Sequence, residues 1–420
     1  MLNPQIKNEI LKDRQIIKFK LYGFFKNLKF FEPFLLIFLL ANNLSLLQIG
    51  LLIAIREIVV NVFEIPSGII ADYYGKKKEL YFCFLFYIIS FIFFFFTNCF
   101  LVAAIAMIFY GLGDAFRSGT HKALIFNYLD LKNWTLYKTF VYGRTRGASL
   151  IGSALSSLLA IVFILNMPST NYIFLASIIP YILDFFLILS YPKEIDSKIH
   201  KLGKTNIQDT LKSMLKNIFK KKQLRSLIVS NSMFEASIAS IKDYVQPILQ
   251  TALLSSTFIA AYNVDKNMIV KIVLGITYSI IYLISSIGSR GAYKLIKYKS
   301  RQRLLNIMYL LLVVLLIILS FSIKSPYLVI LLFLLIYLMR DSRKPIFVDV
   351  VDDNMDKKER ATMLSIVSQI KSAFIIILAP LMGFIADKFG LSYSLITLSF
   401  ILLITFSFTF LKSSKMECNL

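Results

Sequence analysis

The chain has 420 residues, of which 57% are apolar and 38 are phenylalanine, and its mean hydropathy is +0.70. This composition lies far above that of soluble globular domains and indicates that lipid surrounds most of the chain. The formal charge of +23 resides in short basic segments between apolar runs, a pattern that reflects membrane topology and argues against nucleic-acid binding. The three cysteines lack metal-ligand spacing, so we expect no metal, no cofactor and no disulfide.

Twelve apolar segments are each long enough to cross a membrane as a helix of roughly 20 residues. The predicted spans, numbered one to twelve, centre on Phe31, Ile58, Ile88, Tyr110, Leu155, Tyr181, Ile238, Ile280, Leu312, Leu334, Ile370 and Leu402. The sequence therefore predicts an all-α integral membrane protein. Span 1, Leu21 to Asn42, is predicted to be one continuous helix although Lys26, Lys29 and Glu32 interrupt it, because lysine side chains can reach toward an interface.

Basic residues are distributed asymmetrically among the connections of the first half. Residues 41–47, 97–100 and 166–171, which follow odd-numbered spans, contain no lysine or arginine, whereas the N-terminal tail and the even-numbered connections are rich in both. Lys266, Lys271 and Lys324 weaken the contrast in the second half. Positive charge concentrates on the cytoplasmic side, so we expect a multi-pass protein of the cell membrane with both termini in the cytoplasm.

The most specific motif lies between spans 2 and 3. It reads Gly68-Ile-Ile-Ala-Asp72-Tyr-Tyr-Gly75-Lys76-Lys77-Lys78. The first glycine lets a neighbouring helix approach closely, the acid one turn later lies on the same face, and the second glycine permits a tight turn. The lysines follow where anionic lipid headgroups begin. The segment resembles the signature of the major facilitator superfamily in the loop between helices 2 and 3.

This resemblance implies a secondary transporter with twelve helices in two six-helix bundles. In the family, the acid of the motif pairs with cations and with a helix N-terminus across the bundles, which latches one conformation. That role would fall on Asp72, with Lys76 to Lys78 as the basic cluster. Two further segments are similar: residues 288–291 and the basic residues after them lack the acid, and residues 383–390 have Asp387 but lack the lysine cluster.

A long polar stretch separates two halves of six spans each. Residues 193–225 contain nine lysines interspersed with apolar residues at helical spacing, which predicts an amphipathic helix on the inner membrane surface. We therefore expect an N-terminal bundle at residues 1–192, a cytoplasmic linker at 193–225 and a C-terminal bundle at 226–420. A soluble regulatory domain is the alternative, although about thirty residues are few for one.

An internal repeat supports two pseudo-symmetric bundles. The matching residues are Glu32-Pro33 in span 1 with Gln246-Pro247 in span 7, and Asp114 and Arg117 in span 4 with Asp341 and Arg343 in span 10. Matches in equivalent spans and in the same order indicate two related halves with a binding site between them.

Ionisable residues inside the spans are the candidate functional residues, because each costs about 2.5 to 3.5 kcal/mol in lipid and so faces a cavity or a partner. The candidates for the coupling and substrate cavity are Glu32, Arg56, Glu57, Asp114, Arg117, Lys242, Asp243, Gln246 and Lys371. Helical spacing predicts one shared face for Asp114, Arg117 and His121, and another for Glu235, Lys242 and Gln246. A structural ion pair, such as Asp114 with Arg117, is an equally good interpretation of any single charge.

Glu32 and Glu57 are the better candidates for proton coupling, because a carboxyl in a cavity of low dielectric can take up and release a proton as the cavity changes face. Glu32 is expected to face Gln246 across the pseudo-two-fold axis. Arg56, Lys242 and Lys371 are expected either to neutralise such acids or to receive an anionic substrate.

These features favour a monomeric, proton-coupled carrier of a small organic solute, with efflux as one direction; an uptake permease or uniporter of the same fold is the alternative. The chain is loosely similar to bacterial drug/proton antiporters, but its arginine in span 4, Arg117, lies deeper than theirs, and span 5 lacks their Gly-Pro pair. An enzyme or a channel is disfavoured, because the chain has no catalytic motif and Gly203-Lys204-Thr205 lacks the first glycine of a P-loop.

Overall fold

A computed structural model describes residues 4–196, 222–255, 265–296, 301–353 and 360–411, which form sixteen α-helices. Those of the first half are α1 (Pro4–Lys12), α2 (Arg14–Lys26), α3 (Leu35–Ala41), α4 (Leu46–Tyr74), α5 (Lys76–Phe95), α6 (Phe100–Arg117), α7 (Thr120–Leu131), α8 (Lys138–Asn166) and α9 (Tyr172–Leu189). Those of the second half are α10 (Lys222–Ile241), α11 (Val245–Ser255), α12 (Lys266–Ile296), α13 (Arg301–Phe321), α14 (Pro326–Asp353), α15 (Arg360–Phe389) and α16 (Leu391–Thr409).

Nine helical segments within these ranges are long and apolar enough to cross a membrane. They are Leu46–Ala71, Lys76–Phe95, Phe100–Leu131, Thr135–Asn166, Tyr172–Leu189, Lys266–Ser285, Arg301–Phe321, Ser365–Phe389 and Leu391–Thr409. The other three predicted spans, numbers 1, 7 and 10, are helical as well. Spans 1 and 7 are interrupted, and span 10 holds Arg340, Asp341 and Arg343 in the middle of α14.

Span 1 is broken, so the prediction of one continuous helix is wrong. Helix α2 ends at Lys26, and a 3-10 turn, Glu32–Phe34, precedes α3. Span 7 is broken in the same way: α10 ends at Ile241, and the turn Lys242–Tyr244 precedes α11. A proline lacks the N–H that a helix interior requires but fits a first turn, and accordingly Pro33 lies in the 3-10 turn before α3 and Pro247 in the first turn of α11. The predicted repeat is therefore visible in the backbone.

Span 4 is broken at a glycine. Gly119 has a φ of +76°, in the left-handed region that glycine adopts without steric cost, and it separates α6 from α7. The chain therefore changes direction after Arg117, and the residues beyond the break no longer continue the face that Asp114 and Arg117 occupy.

The chain divides into two compact units. Unit 1 comprises the described residues within Met1–Asn43, Ile55–His200 and Lys271–Leu283, and unit 2 comprises those within Leu44–Ala54, Lys201–Val270 and Ile284–Leu420. Helix α4 thus begins in unit 2 and continues in unit 1. Most of the predicted linker, residues 197–221, lies outside the described residues, so the domain boundaries and the amphipathic helix stay predictions.

Aromatic rings form the core of unit 1. The ring centroid of Tyr181 in α9 lies 4.9 Å from that of Phe91 and 5.2 Å from that of Tyr87, both in α5. All three side chains are fully buried. Gly113 of α6 packs on the Tyr87 ring, where an added Cβ would lie 2.8 Å from a ring carbon. This close approach brings the end of α6 against α5 and positions the charged residues described next.

Candidate functional site

Asp114 and Arg117, at the end of α6, form one network with Tyr87. The Tyr87 hydroxyl donates to Asp114 Oδ1 at 2.6 Å, and Arg117 Nε donates to the same hydroxyl at 3.2 Å. Arg117 Nη2 also donates to Asp114 Oδ1 at 3.4 Å. The ion pair that helical spacing suggested is therefore formed, and a tyrosine from the neighbouring helix completes it.

The break in span 1 places a second pair beside this network. Lys29, between α2 and the 3-10 turn, donates from Nζ to the Tyr110 hydroxyl at 2.7 Å. Glu32, at the start of that turn, is near enough to Lys29 to interact with it electrostatically. Because the chain is not α-helical between Lys26 and Leu35, Lys29 and Glu32 can both lie beside α6.

Helix α4 contributes Arg56 and Glu57 to the same region. Arg56 Nη2 lies 2.5 Å from Glu57 Oε1, and Arg56 also interacts electrostatically with Asp114. Glu57 is buried. Gly111 of α6 allows this approach, because an added Cβ there would lie 3.0 Å from the Arg56 carbonyl oxygen.

Unit 1 thus brings together five of the predicted site residues, namely Glu32, Arg56, Glu57, Asp114 and Arg117. Three further residues take part that were not predicted as site residues, namely Tyr87, Tyr110 and Lys29. The signal for Lys29 was present, because a lysine that interrupts an apolar span usually has a partner. The tyrosines carry no comparable signal, since most tyrosines in apolar spans pack or lie at interfaces. Three acids and three cations, each beside a partner of opposite sign or a hydroxyl, can exchange those partners for the polar groups of a solute.

The remaining candidates lie in unit 2. Lys242 and Asp243, in the break of span 7, form an ion pair of 3.7 Å, and Gln246 is completely buried at the start of α11. Lys371 is half-buried on α15 and has neither an ion pair nor a hydrogen bond among the residues that the structure describes. Because Glu235 lies on α10 and Gln246 on α11, the break separates them, and the prediction of one shared face in span 7 is wrong.

Arg343 occupies the interior of unit 2. It is completely buried on α14, with its guanidinium carbon 4.1 Å from the ring centroid of Phe234 and 5.8 Å from that of Tyr309. Arg117 likewise contacts Tyr87 of α5, so in each half the arginine of span 4 or 10 lies against a tyrosine of span 3 or 9. The internal repeat therefore extends from sequence to side-chain contacts.

His121 does not share a face with Asp114 and Arg117, and the prediction that it does is wrong. The break at Gly119 turns it toward α2, where its ring stacks on Tyr22 with centroids 3.5 Å apart. Its Nε2 lies 3.2 Å from the Tyr191 hydroxyl. His121 is therefore packed between helices, within electrostatic range of Arg117.

The predicted latch motif has an ordered turn. Gly75 has a φ of +103°, and the Asp196 carboxylate accepts from the backbone N–H of Lys76 at 2.6 Å and of Lys77 at 3.3 Å, at the start of α5. The side chains of Lys76 and Lys77 are buried, which contradicts the expected lysine cluster at lipid headgroups; Lys78 alone of the three is exposed. An added Cβ on Gly68 would meet no atom within 4 Å, so the predicted close approach is not made there. The Asp72 side chain lies outside the described part, and its role stays a prediction.

Comparison with known proteins identifies the class. The family model of the Major Facilitator Superfamily matches residues 24–373. The chain belongs to the major facilitator superfamily, and the predicted fold class of twelve helices is confirmed. Because the members of this family are membrane transporters, this chain is a membrane transporter.

The individual proteins to which this chain is similar share 30% or less of its sequence over the aligned residues. The uncharacterised MFS-type transporter YxaM of Bacillus subtilis is 30% identical over 230 residues, which are 52% of this chain and 54% of that protein. This chain therefore spans about half the length of the curated relative. The solved structures that share its fold include two transporters. The nucleoside transporter NupG has a TM-score of 0.78 at 12% identity, covering 96% of this chain and 100% of NupG. A bacterial homologue of the human lysosomal transporter Spinster has a TM-score of 0.70 at 14% identity, covering 98% and 97%.

Proposed function

We propose that the protein is a secondary active transporter that moves a small organic solute across the cytoplasmic membrane by alternating access, coupled to protons. The observation that carries this proposal is the cluster of unit 1, in which Lys29, Arg56 and Arg117 lie among Glu32, Glu57 and Asp114. Charged side chains inside apolar helices cost free energy. In a transporter such residues commonly line the pathway of the solute, which accounts for a cluster of this kind. Efflux is one direction compatible with it, and uptake is the other.

The break in span 1 supports a binding role for this region. Interrupted helices in transporters present backbone groups and helix ends to the solute. Here the interruption carries both a cation, Lys29, and an acid, Glu32, so the cluster suits a solute with polar groups of either sign: a zwitterion, an organic cation or an organic anion. We expect a monomer in contact with anionic lipid headgroups at its cytoplasmic face.

Counterflow in proteoliposomes tests the proposal. Radiolabelled nucleosides, peptides, amino acids and organic cations are offered with and without a pH gradient, and the first two classes enter the panel because the solved proteins of this fold include a nucleoside transporter and a peptide-bound transporter. We expect exchange of at least one solute and its accumulation when the gradient is imposed, abolished by a protonophore. Exchange without accumulation would identify a uniporter, and conductance without exchange a channel.

The predicted orientation can be checked in intact cells. In a background where the native cysteines, including the exposed Cys99, are replaced by serine, Ser169→Cys should react with a membrane-impermeant maleimide, because it lies in a connection without basic residues. Ser197→Cys, in the basic segment, should react after the cells are permeabilised and not before. The reverse pattern would contradict the proposed topology with cytoplasmic termini.

The latch role of Asp72 predicts a transport defect without a folding defect. Asp72→Asn should lower the rate of counterflow about tenfold or more, because loss of one interaction of a charged group, about 1.5 kcal/mol, changes the balance of two conformations by that factor. Membrane insertion and the size-exclusion profile should match those of the parent, since Asp196 and Gly75 form the turn. Parental rates in the variant would remove Asp72 from the mechanism.

A further inference from the structure

The segment Gly383-Phe-Ile-Ala-Asp387-Lys-Phe-Gly390 at the end of α15 repeats the latch motif, and its aspartate holds the start of another helix. Asp387 Oδ1 accepts from the backbone N–H of Leu46 at 2.9 Å, and Oδ2 accepts from that of Leu47 at 2.7 Å. Leu46 and Leu47 are the first two residues of α4. One carboxylate therefore satisfies two N–H groups at the positive end of a long helix, although 340 residues separate Asp387 from Leu47.

These two N–H groups have no cap within their own helix. Ser45 and Gln48 form a reciprocal capping box, in which Gln48 N donates to Ser45 Oγ at 3.2 Å and Ser45 N donates to Gln48 Oε1 at 2.9 Å. The box serves Ser45 and Gln48 and leaves the N–H groups of Leu46 and Leu47 to Asp387. The contact is therefore an additional attachment of α4 to α15, beyond what the helix needs to begin.

Glycines bring the two backbones together around this attachment. A Cβ added to Gly50 of α4 would lie 2.3 Å from the carbonyl oxygen of Ala379, and one added to Gly383 of α15 would lie 2.2 Å from that of Leu46. Any side chain at either position would push the helices apart. The same motif glycine at position 68 meets nothing within 4 Å, so of these two copies the one in α15 is engaged in this structure.

A related approach elsewhere lacks the carboxylate. Within unit 1, a Cβ added to Gly275 of α12 would lie 2.9 Å from the Ser157 carbonyl oxygen of α8. The start of α12, however, is capped by its own Asp265, which accepts from Asn267 N at 2.9 Å. The start of α5 is also capped from a distance, by Asp196, but the α4–α15 contact combines such a cap with a close approach of two helix backbones at Gly50 and Gly383.

We propose that Gly383 and Asp387 form a releasable latch, in which Asp387 is a positioning residue that holds the start of α4 against α15 in one state of the transport cycle. The proposal rests on the proposed alternating access. Helix α4 passes from unit 2 into unit 1 after Ala54, so release at Leu46 would free the end of a helix whose larger part belongs to unit 1. Its other end carries Asp72, and the two aspartates would act in different states of the cycle.

Spin-label distances test the latch without any solute. Cysteines replace the exposed residues Ala41 and Tyr393 in a background lacking the native cysteines, and the distance distribution is measured by pulsed electron paramagnetic resonance in liposomes. The parent should show one main population. Asp387→Asn should add a longer-distance population and raise its ratio to the first about tenfold, the change expected from loss of one hydrogen bond to a charged group. Gly383→Ala, measured separately, should add the same population because its methyl group would press on the Leu46 carbonyl oxygen.

Two control variants show whether a shift in the distances is specific to the contact between α4 and α15. Asp130→Asn, which removes the charge of an exposed ion pair with Lys138, and Gly143→Ala, at a helical glycine with nothing within 4 Å, should leave the distribution unchanged. A parental distribution in Asp387→Asn would overturn the latch, including the case in which Gly383→Ala alone shifts it, because packing would then suffice. Should Asp387→Asn fail to fold, Asp387→Ser is measured against the same criterion. No counterflow together with a shifted distribution would count against the proposed transport and leave the latch supported.

Discussion

Replacement of Asp114 by alanine is expected to abolish transport and to lower the free energy of unfolding by about 3 kcal/mol. The variant leaves Arg117 and the Tyr87 hydroxyl without their acceptor, and breaking a buried ion pair from one side typically costs about 3 to 5 kcal/mol. The side chains of Arg117 and Asp114 are 32% and 21% exposed, which places the cost at the lower end. Counterflow in proteoliposomes and denaturant titration in mixed micelles measure the two effects.

Two companion variants separate the network from a general loss of charge. Asp114→Ala combined with Arg117→Ala should lose less stability than the sum of the single variants, because no charge is left unpaired. Asp130→Ala, which breaks the surface pair with Lys138, should cost under about 1 kcal/mol and leave counterflow intact. Equal losses from Asp114→Ala and Asp130→Ala would show that the Asp114 network has no special role.

Glu32→Gln is expected to uncouple transport from the proton gradient while exchange continues. The change removes the titratable group beside Lys29 with almost no change in volume, so the solute can still bind, but no proton moves with it. A gradient of about one pH unit supports a concentration ratio of about ten when one proton accompanies each solute molecule. In the variant that ratio should fall to about one, measured as gradient-driven accumulation in proteoliposomes.

The control for this experiment is Glu194→Gln, a substitution of an exposed acid outside the apolar segments, which should accumulate solute as the parent does. Glu57→Gln is the informative second variant, because Glu57 is the other acid proposed for coupling and it pairs with Arg56. Accumulation at the parental rate in Glu32→Gln would exclude Glu32 as the coupling group. Loss confined to Glu57→Gln would assign the coupling to α4.

Much of the architecture follows from local properties of the sequence. A run of about twenty apolar residues must satisfy its own backbone in lipid and so becomes a helix wherever it occurs, which is why the spans were predictable. The turn at Gly75 was predictable because glycine alone adopts its positive φ readily. The pairing of Asp114 with Arg117 was predictable because residues three apart on a helix are neighbours. Each of these inferences uses residues that lie within a few positions of one another.

Contacts between distant segments were decided by the tertiary structure. The prolines at positions 33 and 247 could be seen in the sequence. The sequence did not reveal that the preceding helices end several residues before these prolines, at Lys26 and Ile241. That difference overturned the predicted faces of the broken spans, since helical spacing holds only while the helix is continuous. The partners of Lys29 and Asp387 could not be predicted either. They are a tyrosine hydroxyl and two backbone N–H groups far away in the sequence, and nothing in their local sequence indicates which charged side chain they contact. Local chemistry determines which segments become helices, and packing of those helices determines which charges lie together.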